Sequence, residues 1–262
     1  MIKILNTTNS LKSITDILDR GENVYFSRYG DNDIMMMSGT RLDNSPLGSE
    51  QAFGGNKTIF SIELQRELIE AFQINNPNYL IGVSCTWEKE IGMDKGCFEP
   101  FPYKNQLEQK INLFTNKEEF LIPILFHYLI CFKPQIFDLF VEKYIKTRNV
   151  LFVGSSDKEH VEKLIGHINH YVETPKTTAY NQIENIWSEI LIVLKNNPGI
   201  NMIIPTSGQC SRVLTKRLWN YKGLNISVID MGSLFDGLST TPTRTWIKLK
   251  GHLLRERYNS LP

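Results

Sequence analysis

The sequence predicts an α/β protein of Rossmann-like type, with a largely parallel sheet flanked by helices and a helical insertion in the middle of the chain. Three observations carry that prediction. Apolar runs such as Val150-Leu151-Phe152-Val153 and Met202-Ile203-Ile204 alternate with amphipathic helical stretches, which is the pattern of βαβ units. Small-residue turns, Gly154-Ser155-Ser156-Asp157 and Thr206-Ser207-Gly208, stand where strands pass into helices. Residues 105–146, by contrast, carry helical periodicity throughout.

The chain has 262 residues, of which 41% are hydrophobic and 22% charged. That suits one domain, 1–262, with a sizeable core. A net charge of +1 argues against broad electrostatic binding to nucleic acid. Cys85, Cys97, Cys131 and Cys210 are scattered with no Cys-x-x-Cys spacing, so reduced thiols are expected. The opening Met1-Ile2-Lys3-Ile4-Leu5-Asn6 lacks the apolar run of a signal peptide. The most apolar stretch, 120–132, is too short for a membrane span and contains Pro123 and His127. A soluble, cytoplasmic protein without a transmembrane segment is expected.

Taken in order, Leu11, Ile14, Ile17 and Leu18 give 8–20 helical spacing. Val24-Tyr25-Phe26-Ser27-Arg28-Tyr29 is an apolar strand that runs into Gly30, and a helix begins at Asp31. Residues 39–56, with Gly48, Gly54, Gly55 and Asn56, read as a long loop. A helix over 57–72 follows, with Ile59, Ile62, Leu68, Ile69 and Phe72 as its apolar stripe. Tyr79-Leu80-Ile81-Gly82-Val83 is a strand, and the irregular stretch 84–103 holds Trp87, Phe98, Phe101 and Tyr103, placed as aromatics that pin a loop. Two or three helices, broken near Pro123 and Pro134, fill 105–146. His127, among Phe126, Tyr128 and Leu129, reads as a packed core histidine.

Beyond Asn149 the alternation is regular: strand, helix 158–168, a strand near Tyr171-Val172, helix 180–194, strand 202–204, helix 210–221 and strand 226–229. His160 and His167 are seven apart on the first of these helices, which reads as a solvated face.

Arg28-Tyr29-Gly30-Asp31-Asn32-Asp33 places a cation and two carboxylates at the carboxyl end of a strand, where open α/β sheets bind ligands. Taken alone, Asp31 is a helix N-cap and Asp33 a first-turn charge. No Gly-x-Ser-x-Gly elbow, Walker A loop or His-Glu-x-x-His is present. The carboxylate pair, Arg28, the Gly/Ser turns and a last strand ending in Asp230 together suit a nucleoside-diphosphate ligand with a divalent ion, Mn²⁺ or Mg²⁺.

Phe26-Ser27-Arg28-Tyr29-Gly30-Asp31-Asn32-Asp33 resembles the Arg-aromatic-Gly-Asp-Gly-Glu segment of bacterial glycosyltransferases with the GT-D fold, Rossmann-like enzymes with an Asp-x-Glu motif. Val150 to Gly154 looks like the family's second strand and turn. Pro175 to Ile186, with Ala179-Tyr180, is similar to its approach to a helix, and Thr206-Ser207-Gly208-Gln209-Cys210-Ser211-Arg212-Val213-Leu214 to its glycine turn and following helix. Ile229-Asp230-Met231-Gly232-Ser233, followed by Asp236, resembles its Asp-x-Gly-Ser/His close. One departure stands out: Asn32-Asp33 replaces the family's Gly-Glu. Asp is shorter than Glu by one C–C bond, about 1.5 Å, so a bound ion would sit nearer the backbone.

The resemblance implies transfer of a sugar from a nucleotide-sugar donor, UDP-linked, to a saccharide acceptor that is protein- or lipid-linked. Asp31 and Asp33 are then assigned to metal or donor binding, one of them as base toward the acceptor, and Arg28 to diphosphate orientation. Gly30, Gly154, Ser207, Gly208, Asp230, Gly232 and Ser233 are expected along the donor site, with Asp230 toward ribose hydroxyls. Arg244 is either a phosphate or acceptor contact or an exposed residue of a C-terminal tail. The alternatives are a nucleotide-sugar-binding partner without catalysis, and a metal-dependent phosphohydrolase recruiting Asp157 and Asp230.

Overall fold

The computed structural model describes residues 2–41, 52–53, 58–84, 104–221, 223–238 and 245–261. Among them the main sheet has six parallel strands: β2 (Tyr25–Tyr29), β5 (Tyr79–Val83), β7 (Val150–Gly154), β8 (His170–Glu173), β9 (Met202–Pro205) and β10 (Ser227–Ile229), in the order β5-β2-β10-β9-β7-β8. The expected α/β architecture with a parallel sheet is what forms. Every residue of β7, β9 and β10 is buried, which explains why these strands read as continuous apolar runs: helices cover both faces.

The flanking helices are α1 (Thr7–Asp19), α2 (Asp31–Ser38), α3 (Ile62–Phe72), α7 (Lys158–Ile165), α8 (Ile183–Asn196) and α9 (Gln209–Asn220). Asn6 caps α1 by accepting from Asn9 N at 2.8 Å, and Asp157 caps α7 from His160 N at 3.1 Å. A 3₁₀ turn, Ala179–Gln182, leads into α8.

Several boundaries differ from the sequence reading. The helix expected over 57–72 starts at Ile62, because Ser61 Oγ accepts from Leu64 N at 3.0 Å and so caps it there. Residues Thr58–Ile59 (β4) instead pair antiparallel with Ala52–Phe53 (β3). Ile62, placed in the apolar stripe, is 70% exposed, because the buried face of α3 runs through Leu64, Leu68, Ala71 and Phe72 and Ile62 lies off it. His160 and His167 do not share a helix face: α7 stops at Gly166, whose φ of 88° favours glycine. His160 packs on Tyr258, while His167 Nδ1 lies 3.0 Å from Glu162.

The central segment is α4 (Lys104–Asn112), α5 (Leu125–Phe132) and α6 (Pro134–Phe140), the last continued by a π-helical turn, Val141–Ile145. Pro134 takes the first position of α6, where its missing N–H costs nothing. The periodicity hid one strand, β6 (Glu119–Phe120), which pairs with β1 (Lys3–Ile4) and meets the main sheet through a bridge from Leu121 to Gly82. The C-terminal region is no loose tail: α10 (Thr245–Ser260) packs on α5 and on the 3₁₀ turn Phe235–Leu238, burying Trp246, Ile247 and Leu254. Each such side chain contributes roughly 1.5–3 kcal/mol when fully removed from water. None of the helices among the described residues is long and apolar enough to cross a membrane.

Candidate active site

Strand order reverses between β7 and β9. The chain leaves β7 outward to β8, whereas it leaves β9 inward to β10. Crevices at such reversals, outside the carboxyl ends of parallel strands, are where open α/β sheets take ligands. A cleft of about 40 Å³ lies at this point. It is lined by Ser155 after β7, by Thr206, Ser207 and Gly208 after β9, and by Lys176, Tyr180, Ser233 and Asp236.

The 12-residue helix α9 opens onto the cleft at Gly208. Gly208 adopts φ 63°, a conformation other residues rarely take, and this lets the chain turn from β9 straight into the helix. The N–H groups of that first turn favour an anion. Ser207 N donates to Ser211 Oγ at 2.8 Å, which holds the turn closed. Cys210, also lining the cleft, is buried, and burial pushes its thiol up to about 12.

Beside the cleft, α2 starts at the end of β2. Gln209 Nε2 reaches the carbonyl of Asn32 at 3.4 Å and ties the first turns of α9 and α2 together. Asp31 is half-buried at the start of α2. Asp33 is 4% exposed, and its Oδ2 accepts from Gly30 N at 2.7 Å and from Arg212 Nη2 at 3.1 Å. Gly30 thus serves this pair through its backbone.

Arg212 joins two carboxylates. Its Nη1 donates to the Gly208 carbonyl at 2.5 Å and lies 3.2 Å from Asp230 Oδ2. Burial pulls the guanidinium pKa down, but Asp33 and Asp230 outweigh it and leave the group firmly charged. Asp230 is fully buried at the end of β10, and its Oδ1 accepts from Gly232 N at 2.7 Å. Burial pushes its carboxyl up, against the pull of Arg212 and Arg28.

Arg28 enters from β2. Its Nε donates to the Pro123 carbonyl, and its guanidinium lies against Gly232, where an added Cβ would overlap Nη1. Gly232 also has φ 57°, so two independent constraints require glycine there.

The structure therefore brings Arg28, Gly30, Asp31, Asp33, Asp230 and Gly232 together at the ends of β2 and β10, and puts Ser207, Gly208 and Ser233 in the adjoining cleft. Gly154 does neither: it packs under Thr206, whose Oγ1 a Cβ would overlap, and Ser155 reaches the cleft in its place. Arg244 and the loop aromatics Trp87, Phe98, Phe101 and Tyr103 lie outside the described residues.

Sequence reasoning missed Arg212, Lys176, Tyr180 and Asp236 as site residues. Lys176, Tyr180, Arg212 and Asp236 stand inside the family-like segments, but none was assigned a role in the site. It also took His127 for packing alone. The side chain is buried, yet its Nε2 lies 3.3 Å from Ser233 Oγ.

For a divalent ion, Asp33 Oδ1 is a buried acceptor with no hydrogen-bond donor among the described residues, and Asp31 sits two positions before it. Carboxylate oxygens are the donors a hard cation takes. The wider ligand set of a phosphohydrolase does not gather, since among the described residues no three His, Cys, Asp or Glu side chains converge. Asp157 is exposed and spent on capping α7.

No family model and no curated protein matches the chain. Solved structures do. A glycosyltransferase (DUF1792) from Streptococcus sanguinis superposes with TM-score 0.66 at 16% identity, over 90% of this chain and 82% of that one. A domain of unknown function 1792, described as having a distinct glycosyltransferase fold, matches with TM-score 0.62 at 16% identity, over 89% and 79%. The fold of this chain is therefore the GT-D-type fold its motifs resemble.

Proposed function

We propose that this protein is a glycosyltransferase that moves a sugar from a nucleotide-sugar donor, UDP-linked, to a saccharide acceptor on a protein- or lipid-linked glycan. The observation that carries the reading is the cleft at the strand-order reversal. It combines the α9 N-terminus, Lys176 and hydroxyl side chains, and it adjoins Asp33 and Asp230, both held by Arg212. The likeness of fold to structures described as glycosyltransferases supports it.

In such a transfer the leaving diphosphate gains negative charge as the glycosidic bond breaks. Groups preorganised to meet that charge stabilise the transition state more than the ground state. The α9 amides, Lys176 and Arg28 serve this role, and the amides and Arg28 are oriented before substrate arrives: Gly208 shapes the helix start and Gly232 seats the guanidinium. Asp31, half-buried in the first turn of α2, is the carboxylate assigned as base toward the acceptor hydroxyl. A Mn²⁺ or Mg²⁺ held by Asp31 and Asp33 Oδ1 would supply further charge compensation at the diphosphate.

The test is calorimetric titration with UDP-sugars, with and without Mn²⁺, followed by a donor-turnover assay on wild type and Asp31→Asn. Binding with turnover that Asp31→Asn abolishes is expected. Binding without turnover, with or without acceptor glycans, would instead identify a non-catalytic nucleotide-sugar-binding partner. No binding to any nucleotide rejects the proposal.

A further inference from the structure

Ser233 faces the cleft with two ring nitrogens at its back. Trp246 Nε1 lies 3.1 Å from Ser233 Oγ and His127 Nε2 3.3 Å from it. The two rings meet edge to face, with centroids 4.8 Å apart, and both are buried. They come from α5 and α10, elements far apart in the chain. Gly237 makes room for the indole, since a Cβ there would fall 2.6 Å from its ring. Nothing about packing alone requires both nitrogens to converge on one hydroxyl.

We propose that His127 and Trp246 are positioning residues that fill both lone pairs of Ser233 Oγ, so that the hydroxyl hydrogen is fixed as a donor into the cleft. The indole N–H can only donate, which accounts for one lone pair. The imidazole could in principle take the Ser233 proton or give its own. The cleft decides between these. Its α9 N-terminus and Lys176 suit a ligand rich in acceptor oxygens, and against such oxygens a preset donor binds while a preset lone pair repels. Neutral His127 with its proton on Nε2 supplies that arrangement, and Ser233 then meets a phosphoryl or sugar oxygen without losing rotor freedom on binding. The ligand side of this inference rests on the nucleotide-sugar reading; the polarity of Ser233 does not.

Two measurements separate the parts. Long-range ¹H–¹⁵N correlation spectra of ¹⁵N-histidine-labelled protein at neutral pH report the His127 tautomer without any ligand. A protonated Nε2 is expected, and an Nε2 without a proton overturns the proposal. UDP affinity is then compared among wild type, Ser233→Ala, His127→Phe and His127→Gln, with folding checked by thermal melting. Ser233→Ala and His127→Phe each weaken UDP about tenfold, the scale of one hydrogen bond. His127→Gln, whose amide N–H can replace Nε2–H, recovers most of that loss. Unchanged affinity in Ser233→Ala, or His127→Gln no better than His127→Phe in folded protein, overturns it. Wild type that fails to bind UDP defeats the nucleotide reading, and the tautomer still decides the polarity of Ser233.

Discussion

Arg212 Nη2 sits 3.1 Å from Asp33 Oδ2, with the two side chains only 9% and 5% exposed. This contact changes the meaning of the Asp-x-Asp segment. Asp31 and Asp33 are two residues apart in sequence but differ in burial: Asp31 is half-buried, and Asp33 is clamped inside by an arginine 179 positions away. The same guanidinium holds Asp230, so a single side chain links the ends of β2 and β10 and the turn after β9.

Arg212→Met leaves two carboxylates buried without their cation. Breaking a buried pair from one side costs about 3–5 kcal/mol, and urea unfolding should show a loss of that size. A loss under about 1 kcal/mol would mean that the carboxylates reach water or neutralise at little cost.

Asp31→Asn and Asp33→Asn should separate chemistry from architecture. Asp31→Asn gives up a first-turn helix charge, worth about 0.3–1 kcal/mol, and loses donor turnover. Asp33→Asn forfeits charge in its bonds to Arg212 and Gly30 N, so turnover and melting temperature fall together. Equal melting temperatures in the two variants would contradict the division.

Gly232→Ala strains a residue at φ 57° and drives a methyl into Arg28 Nη1. The left-handed conformation alone costs a non-glycine residue about 1–2 kcal/mol, with the overlap added. In the double variant Arg28→Ala/Gly232→Ala the overlap is gone, so the second substitution should destabilise less than it does in wild type. Strict additivity in this cycle would place the two groups out of contact.

Cys210 offers a pH test. Burial pushes its thiol from the ordinary 9.0 up to about 12, so the folded chain keeps the proton over a range where the unfolded chain releases it. Its contribution to stability is therefore whole below pH 9 and declines as pH rises from about 9 to about 12. Cys210→Ala should flatten that decline. At pH 8 the native thiolate fraction is about a thousandfold lower than for an ordinary cysteine, and alkylation followed by peptide mass spectrometry should find this site protected until the protein is unfolded.

The sequence by itself determined the parts list: the strands, most helices, the glycine turns and the carboxylate pair at the end of β2. These are written in local periodicity and in residues with special backbone freedom, so neighbours in sequence suffice to read them. Short pieces escaped, as β6 did inside a helical pattern and as Ser61 did by starting α3 late. Tertiary structure alone decided the strand order that opens the cleft between β7 and β9, the seating of Arg28 on Gly232, and the meeting of His127, Ser233 and Trp246. It also decided that Asp33 is clamped by Arg212. The physical reason is common to all of these: partner choice and burial set the role of a charged or hydroxyl side chain, and both are properties of long-range packing that no local pattern encodes.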